Sequence, residues 1–290
     1  MPLVSERRTQ DIRKGWYKFS KSPLSILGLA VVVVIISVTI ASPLIAPYPK
    51  HAEFFVDFSN ANKPPSWKYP LGTDIMGRDV LTRIIFGFRY SLMMAVVVLS
   101  LVTPPGVILG LIAGYFRGSW IETIIMRVTD VFIGVPPLVL ALAICSVLTP
   151  SAFYAMMAVS LMWWPWYSRL VYSVTSSLRN EYFVQAAETT GASTFHILFR
   201  EIFPNCLAPI LTKVTLDVGW VILIGASLSF VGLGAQPPTP DLGTMVSDGA
   251  KYLPDLWWVT LFPSLAIVVT ILGFNLLGDG VRDLFATEEV

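Results

Sequence analysis

Six long apolar stretches dominate the pattern of hydrophobic and polar positions along the chain. Each reaches or exceeds the roughly 20 helical residues that cross a bilayer, and polar segments separate them. The pattern therefore predicts six transmembrane helices and an all-α membrane protein. Their predicted bounds are 24–47, 90–116, 120–148, 152–175, 207–233 and 257–281.

Two features of these stretches bear on how the helices pack. The second and third are longer than a bilayer requires, which predicts tilt or overhang at the interface. Several contain proline: Pro104 and Pro105 in the second, Pro136 and Pro137 in the third, and Pro165 in the fourth. Spanning helices tolerate proline where neighbouring helices satisfy the freed backbone groups, so we expect the spans to continue through these positions.

The composition agrees with a membrane protein. Hydrophobic residues make up 54% of the 290 positions and charged residues only 13%, about half of the roughly 25% found in soluble domains. This excludes a disordered chain and disfavours an ordinary soluble enzyme. The net charge of +1 implies no polyanionic partner. Cys145 and Cys206 lie in apolar runs without clustered metal ligands, so we expect two buried thiols rather than a disulfide framework or a metal site.

Basic residues before the first stretch set the predicted orientation. Lys and Arg concentrate in cytoplasmic segments, so we predict a cytoplasmic N-terminus, and six spans return the C-terminus to the same side. The first external loop carries as many basic residues at about half the density, so the signal is not clean. The first stretch is too long for a signal-peptide core and is expected to stay uncleaved. The basic residues are Arg7, Arg8, Arg13, Lys14, Lys18 and Lys21.

The predicted organisation has five parts along the chain. A cytoplasmic N-terminal segment and the first transmembrane helix come first. An external loop with an amphipathic helix follows, then a five-helix core that contains a cytoplasmic loop, and a cytoplasmic tail. Their bounds are 1–23, 24–47, 48–89, 90–281 with the loop at 180–205, and 282–290.

The external loop ends in a segment with helical periodicity, 70–92. Asp74 is placed to cap a helix after the turn between Gly72 and Gly77. Apolar residues then recur at helical spacing, and Arg83 is among the polar residues on the other faces. We expect an amphipathic helix that lies on the outer membrane surface and leads into the second span. Its role is an interfacial anchor, or a platform for an external partner or gate.

A second polar segment, 180–205, lies between the fourth and fifth spans. Asn180 is placed to cap a short helix that Gly191 breaks, and Ser193 to cap a second helix that Pro204 ends. The second helix is too apolar for a solvated loop and must pack on the chain's own helix ends or on another protein. Its apolar residues are Phe195, Leu198, Phe199, Ile202 and Phe203.

Chemistry-bearing residues are sparse in the spans. The sequence has no phosphate-binding loop, no HExxH zinc motif and no GxSxG nucleophile elbow, so the chain alone cannot drive ATP-powered transport. Lys213 and Asp217 are four residues apart on one face of the fifth span. They pair or line a translocation route, or else lie close enough to the cytoplasm to be hydrated. We expect Asp130 to bond a neighbouring helix, and the aromatic run 163–167 to pack against helices or lipid or to face a sugar or peptide.

Four segments carry motifs that occur in a fixed order relative to the spans. Residues 72–92 match the pattern GTDxxGRDxxSRxxxGxRxSL, with Thr82 in place of the usual Ser, and 186–204 match an EAA pattern with its later Gly and Pro. Residues 228–249 and 275–284 match LSFLGLGxQPPxPxxGxMxxDG and NLxGDGxRDxLDP. Together they resemble the permease subunits of ATP-binding-cassette importers, in the dipeptide, oligopeptide and nickel group and on its "C" subunit side. The resemblance covers most of the chain from 70 to 283.

The resemblance implies a type I importer permease fold and several partners. These are a second homologous permease, two ATP-binding subunits and an external solute-binding protein, with ATP and Mg²⁺ bound in the partner subunits and no cofactor in this chain. The resemblance implies an ATPase-coupling loop that includes Glu181, Gln185, Ala186, Ala187, Gly191, Ala192 and Pro204. It also implies an external gate or docking surface that includes Gly72, Thr73, Asp74, Gly77, Arg78, Asp79, Gln236, Pro237 and Pro238.

Two departures from the family pattern stand out. Gln185 replaces the acidic residue of the EAA motif, which removes any charge-based role at that position but leaves a hydrogen-bonding side chain. The final LDP is replaced by 284–286. The expected function is import of peptides by alternating access. The alternatives are import of oligosaccharides or nickel chelates by the same machinery, a stand-alone secondary transporter, an export permease or a membrane enzyme.

Overall fold

The computed structural model describes residues 15–285, and within that range the chain is built from helices without a β-strand. A short helical segment over 15–21 precedes the first long helix. The helices are α1 (Pro23–Ile45), α2 (Val80–Tyr115), α3 (Trp120–Ile133), α4 (Pro137–Val147), α5 (Ala152–Leu178), α6 (Tyr182–Thr189), α7 (Thr194–Phe230), α8 (Leu242–Ala250) and α9 (Trp257–Phe285). Four of the basic residues used for the orientation, at 7–14, and the tail 286–290 lie outside the described residues.

Within residues 15–285, four helices, α1, α2, α7 and α9, are long and apolar enough to cross a membrane. The predicted third span is not one helix: α3 and α4 meet at 82° and form either one broken span or a re-entrant loop. The break has a local cause, because Pro137 has no N–H to donate and Pro136 disfavours helical backbone at the residue before it. The 27-residue α5 is long enough to span, but its Trp, Tyr and Ser content lowers its mean hydropathy. Length and hydropathy therefore support four or five of the six predicted spans.

The amphipathic segment and the second span are one continuous helix, α2, of 36 residues and about 54 Å at 1.5 Å per residue. The predicted amphipathic helix therefore does lead into the second span, but as its first part rather than as an element of its own. The polar face of this part is not solvated, because Thr82 and Arg83 are buried. The preceding segment, which is predicted to be external, covers that face: the Tyr48 N–H donates to Thr82 Oγ1 at 3.2 Å, and Arg83 Nη1 donates to the His51 carbonyl at 3.3 Å.

A stripe of glycines joins α2 to α5, the most extensive helix pair in the fold. Gly106, Gly110 and Gly114 recur every four residues and so share one face of α2. A methyl group added at Gly110 would lie 2.6 Å from the Ser168 carbonyl oxygen. The two backbones therefore approach as closely as small residues allow in membrane helices.

The contacts of the long helix α9 show which helix ends lie at the same end of the bundle. It runs antiparallel to α7, with Gly219 beside Asn275 and Leu216 beside Gly278. The end of α9 therefore lies at the same end of the bundle as the start of α7. Gly15 packs near the end of α9, so both ends of the described chain lie at the end that carries the 180–205 loop.

Candidate functional site

The 180–205 loop forms two helical segments joined by a tight turn, as predicted. Gly191 has φ +81°, a left-handed conformation that favours glycine. The Ser193 side chain accepts a hydrogen bond from the His196 N–H, which confirms the predicted cap. The other predicted cap is wrong: Glu181, rather than Asn180, occupies the N-cap of α6, and its side chain makes no capping hydrogen bond. The Asn180 carbonyl instead accepts a hydrogen bond from Gln185 Nε2 at 2.9 Å.

The second helix of the loop does not end at Pro204, which corrects the sequence prediction. It continues as α7 to Phe230. A π-helical stretch over Ile197–Ile202 precedes the proline, and the Phe203 N–H bonds to the Leu198 carbonyl five residues back. Proline lacks an N–H and clashes with the carbonyl four residues earlier. The wider π turn lets the helix pass the proline, so the second helix of the loop and the fifth predicted span form one continuous helix.

The inner face of the loop carries most of its apolar side chains. Val184, Ile197 and Ile202 are buried against the ends of α2 and α5, in a cluster with Val107 and Val171. The same cluster includes Leu198, and the rings at 199 and 203 pack against it. The chain's own helix ends therefore cover most of the apolar surface for which the sequence predicts a packing partner.

The opposite face of the loop stays uncovered. Tyr182 is 87% exposed and Phe195 is 71% exposed. The family-implied coupling residues also divide: Ala187 and Ala192 are partly buried against the apolar cluster, whereas the others are exposed. The exposed ones are Glu181, Gln185, Ala186, Gly191 and Pro204. Ala186, rather than Ala187, therefore offers the small side chain for close contact with another surface.

One acidic side chain ties this loop to two long helices. Glu188 Oε1 accepts a hydrogen bond from the Tyr115 hydroxyl at 2.8 Å and pairs with Arg179 Nη2 at 2.8 Å. The Tyr115 hydrogen bond and the Arg179 charge lower the pKa of Glu188. Sequence reasoning missed this cluster, because Tyr115 and Glu188 are 73 positions apart.

The family-implied external residues of 72–79 form a folded core rather than an open surface. Asp74 Oδ1 accepts the backbone N–H groups of Met76 and Arg78, both at 2.9 Å, and Asp74 Oδ2 accepts Arg78 Nε at 2.7 Å. Gly72 and Gly77 each have φ +77°. Arg78 is half-buried and the other five are buried. The buried ones are Gly72, Thr73, Asp74, Gly77 and Asp79.

Asp79 caps α2 and links it to the external segment. Its Oδ2 accepts the Thr82 N–H at 2.7 Å, and its own N–H donates to His51 Nδ1 at 2.9 Å. Burial raises the pKa of Asp79 and lowers the pKa of His51. Trp258 at the start of α9 donates to the Thr73 carbonyl at 3.1 Å. These bonds join the start of α2, the start of α9 and the 48–79 segment into one unit, which we call the outer cap.

The Pro-rich segment before α8 is the more exposed part of the family-implied external surface. Gln236 and Pro237 are exposed, and Pro238 is half-buried. Gln236 Nε2 donates to the carbonyls of Gly232 and Gly234, both at 3.1 Å. At the end of this segment, the Asp241 carboxylate caps α8 through the Thr244 N–H at 2.8 Å, and burial raises its pKa.

Lys213 and Asp217 form an ion pair inside the bundle. Lys213 Nζ lies 3.0 Å from Asp217 Oδ1, and Trp163 Nε1 donates to Asp217 Oδ2 at 2.9 Å. The side chain of Asp217 is 4% exposed and that of Lys213 is 25% exposed. The ammonium group also faces the rings of Trp166 and Tyr167 at 6.0 and 5.5 Å. Part of the aromatic run thus packs around this pair.

Asp130 and the two cysteines lie where the sequence predicts them. Asp130 of α3 pairs with Arg169 of α5, which confirms the expected bond to a neighbouring helix. Cys145 and Cys206 are free and buried, as expected for small apolar side chains.

Known protein families and individual proteins are similar to most of this chain. Residues 106–288 match the family described as "Binding-protein-dependent transport system inner membrane component", and residues 11–65 match "N-terminal TM domain of oligopeptide transport permease C". The dipeptide transport system permease protein DppC of Escherichia coli (strain K12) is 43% identical over 278 residues, which cover 94% of this chain and 91% of the relative. DppC of Alkalihalophilus pseudofirmus is 40% identical, with 93% and 88% covered. The glutathione transport system permease protein GsiD of Pectobacterium atrosepticum is 36% identical, with 98% and 93% covered.

Proposed function

The chain belongs to the family of inner-membrane components of binding-protein-dependent transport systems, and we propose that it is a permease subunit of an ATP-driven importer of peptides. The family assignment confirms the resemblance carried by the four sequence motifs. It makes the chain a multi-pass inner-membrane protein that works with ATPase and binding-protein partners. The relatives whose names specify dipeptides and glutathione support a short peptide as the substrate.

The observation that carries the proposal is the two-faced loop at 180–205. One face packs on the ends of α2 and α5, and the other exposes Tyr182, Ala186 and Phe195. Exposed aromatic side chains beside a small residue suit an interface with another protein. We assign this face to the ATPase, so the loop and both chain termini would lie in the cytoplasm.

The remaining partners follow from the same proposal. The complex would hold a second, homologous permease and two ATP-binding subunits, with ATP and Mg²⁺ bound in the ATPases and none in this chain. The outer cap and the exposed 236–238 segment would meet the solute-binding protein. Because most of the 72–79 side chains are buried, we assign them to holding the cap in shape, and direct docking to exposed neighbours.

Lys213 and Asp217 remain candidates for the transport pathway. Charged residues inside a membrane bundle face its interior or a water-filled cavity. The partly exposed Lys213 side chain supports contact with the pathway, while its pairing with Asp217 keeps the site neutral.

Co-purification of the tagged chain from its host tests the assembly. We expect two ATP-binding subunits and one second permease to accompany it. Ala186→Asp should release the ATPases, because it places a charge at the closest contact. Thr239→Asp adds the same charge in the Pro-rich segment before α8 and serves as the control. Full ATPase occupancy with Ala186→Asp would contradict the docking surface, and a chain purified without ATPases would contradict the importer.

Reconstitution tests the substrate. The complete importer in proteoliposomes, supplied with its binding protein, should take up a labelled dipeptide when ATP is enclosed on the ATPase side. Uptake of an oligosaccharide or a nickel chelate in place of the dipeptide would keep the importer assignment and overturn the peptide assignment.

A further inference from the structure

The contact between the coupling loop and the long helices has two chemically different parts. The apolar part, around Val184 and Ile202, is buried against the helix ends. The polar part consists of Glu188 of α6, Tyr115 at the last residue of α2, and Arg179 directly after α5. Arg179 also lies over the Tyr115 ring, 4.5 Å from its centroid. Three separate elements therefore meet at one carboxylate.

This polar cluster is suited to a contact that changes during a transport cycle. The Arg179 and Glu188 side chains are 29% and 34% exposed, so water can satisfy them when the contact opens. A hydrogen bond to a charged group is also directional, so it restricts how α6 sits against the two helix ends while the contact is made. An apolar contact alone permits sliding, because it has no preferred direction.

We propose that Glu188 is a positioning residue that transmits movement of the coupling loop to the ends of α2 and α5 through Tyr115 and Arg179. The proposal rests on the importer function and names the side chains through which ATPase movement reaches the ends of α2 and α5, beside the direct helical continuation of the loop into α7. Coupling between two sites requires an element whose contacts differ between the two states. A partly exposed cluster that links the loop to two helices is suited to this requirement, because water can replace its contacts in a second state.

The test is the amount of substrate transported per ATP hydrolysed by the complete importer in proteoliposomes. Glu188→Ala should lower this ratio about fivefold, because it removes both polar contacts. Glu188→Gln keeps an acceptor for Tyr115 and should have a smaller effect. Tyr115→Phe removes one hydroxyl and keeps the ring under Arg179, so it tests the link with little risk to folding.

A charge exchange and a matched control separate coupling from general damage. The double variant Arg179→Glu with Glu188→Arg should recover part of the ratio lost by either change alone. Glu201→Gln is the control, since Glu201 pairs with His196 at 3.5 Å and that contact stays within the loop. It should leave the ratio unchanged.

Two results would overturn the proposal. The first is a normal ratio for both Glu188→Ala and Tyr115→Phe in complexes with full ATPase occupancy. The second is an equal fall in transport and ATP hydrolysis without recovery in the charge exchange, which would mark a purely structural contact. A wild-type chain that carries no ATPase would instead overturn the importer function on which the proposal rests.

Discussion

Leaving Asp217 without Lys213 should destabilise the chain more than removing both charges. Lys213→Met leaves the Asp217 carboxylate, 4% exposed, with the Trp163 N–H but without the ammonium group. Asp217→Asn leaves the Lys213 ammonium, whose side chain is 25% exposed and can reach outward along its flexible stem. The two single changes are therefore not equivalent.

The magnitudes follow from burial. Removing one partner of a buried ion pair costs about 3–5 kcal/mol. Because Lys213 is a quarter exposed, we take values at or just below the lower end of that range. We expect a loss of about 3 kcal/mol for Lys213→Met and about 2 kcal/mol for Asp217→Asn. The double variant has no stranded charge and should lose about 1–2 kcal/mol, rather than the additive value of about 5.

Reversible unfolding of the purified chain in mixed micelles measures these free energies, with tryptophan fluorescence and helical circular dichroism as probes. An interaction energy of about 2 kcal/mol or more from the double-mutant cycle would support the pair. Additive losses would show that the two charges do not stabilise each other. A smaller loss for Lys213→Met than for Asp217→Asn would refute the argument from burial.

Three further predictions concern the outer cap, the loop and the helix interface. Burial lowers the pKa of His51 in the folded chain below the ordinary value of 6.5 that applies to the unfolded chain. The outer cap should therefore lose stability as the pH drops below 6.5, and the rate of proteolysis within 48–79 measures this loss. His51→Asn keeps an acceptor for the Asp79 N–H and should abolish this dependence, and its persistence would contradict the role of His51. Gly191→Pro should abolish uptake while the protein stays at normal abundance in the membrane, because proline fixes φ near −65°. Gly191→Ala should destabilise the turn by about 1 kcal/mol and keep some uptake. Normal uptake by the proline variant would refute the role of the turn. Gly110→Leu should lower the Tm of the purified chain by several degrees by forcing α2 from Ser168, and an unchanged Tm would show that the close approach is dispensable.

Local signals are the most reliable part of the sequence analysis. Gly191 and Ser193 each act on the backbone within a few residues, and both roles are confirmed. The proline predictions have different outcomes. Pro104, Pro105 and Pro165 lie inside helices, as predicted. Pro204 is predicted to end a helix, but a π turn accommodates it. Pro137 is predicted to be tolerated inside a span, but it begins a new helix after a sharp bend. The outcome at a proline depends on whether neighbouring packing can absorb the lost hydrogen bond.

Long-range contacts could not be predicted from one sequence. Helical periodicity places Arg83 on the polar side of an amphipathic helix. Periodicity identifies such a face but does not show what covers it. Here the preceding segment folds back over that face. The bond between Trp163 and Asp217 spans 54 positions and follows only from how α5 packs on α7. The glycine stripe on α2 is visible in the sequence as a four-residue repeat, but its partner helix is not.

The two ends of the bundle differ in how their polar contacts are buried, and this difference favours one distribution of movement. In the outer cap, the Asp74 and Asp79 carboxylates are buried and accept hydrogen bonds from backbone N–H groups. Breaking these hydrogen bonds would leave unsatisfied polar groups away from water. At the loop end, Glu188 and Arg179 are about a third exposed, and water can replace their contacts. We therefore expect the outer cap to move as a rigid body, while contacts at the loop end exchange as the permease changes state.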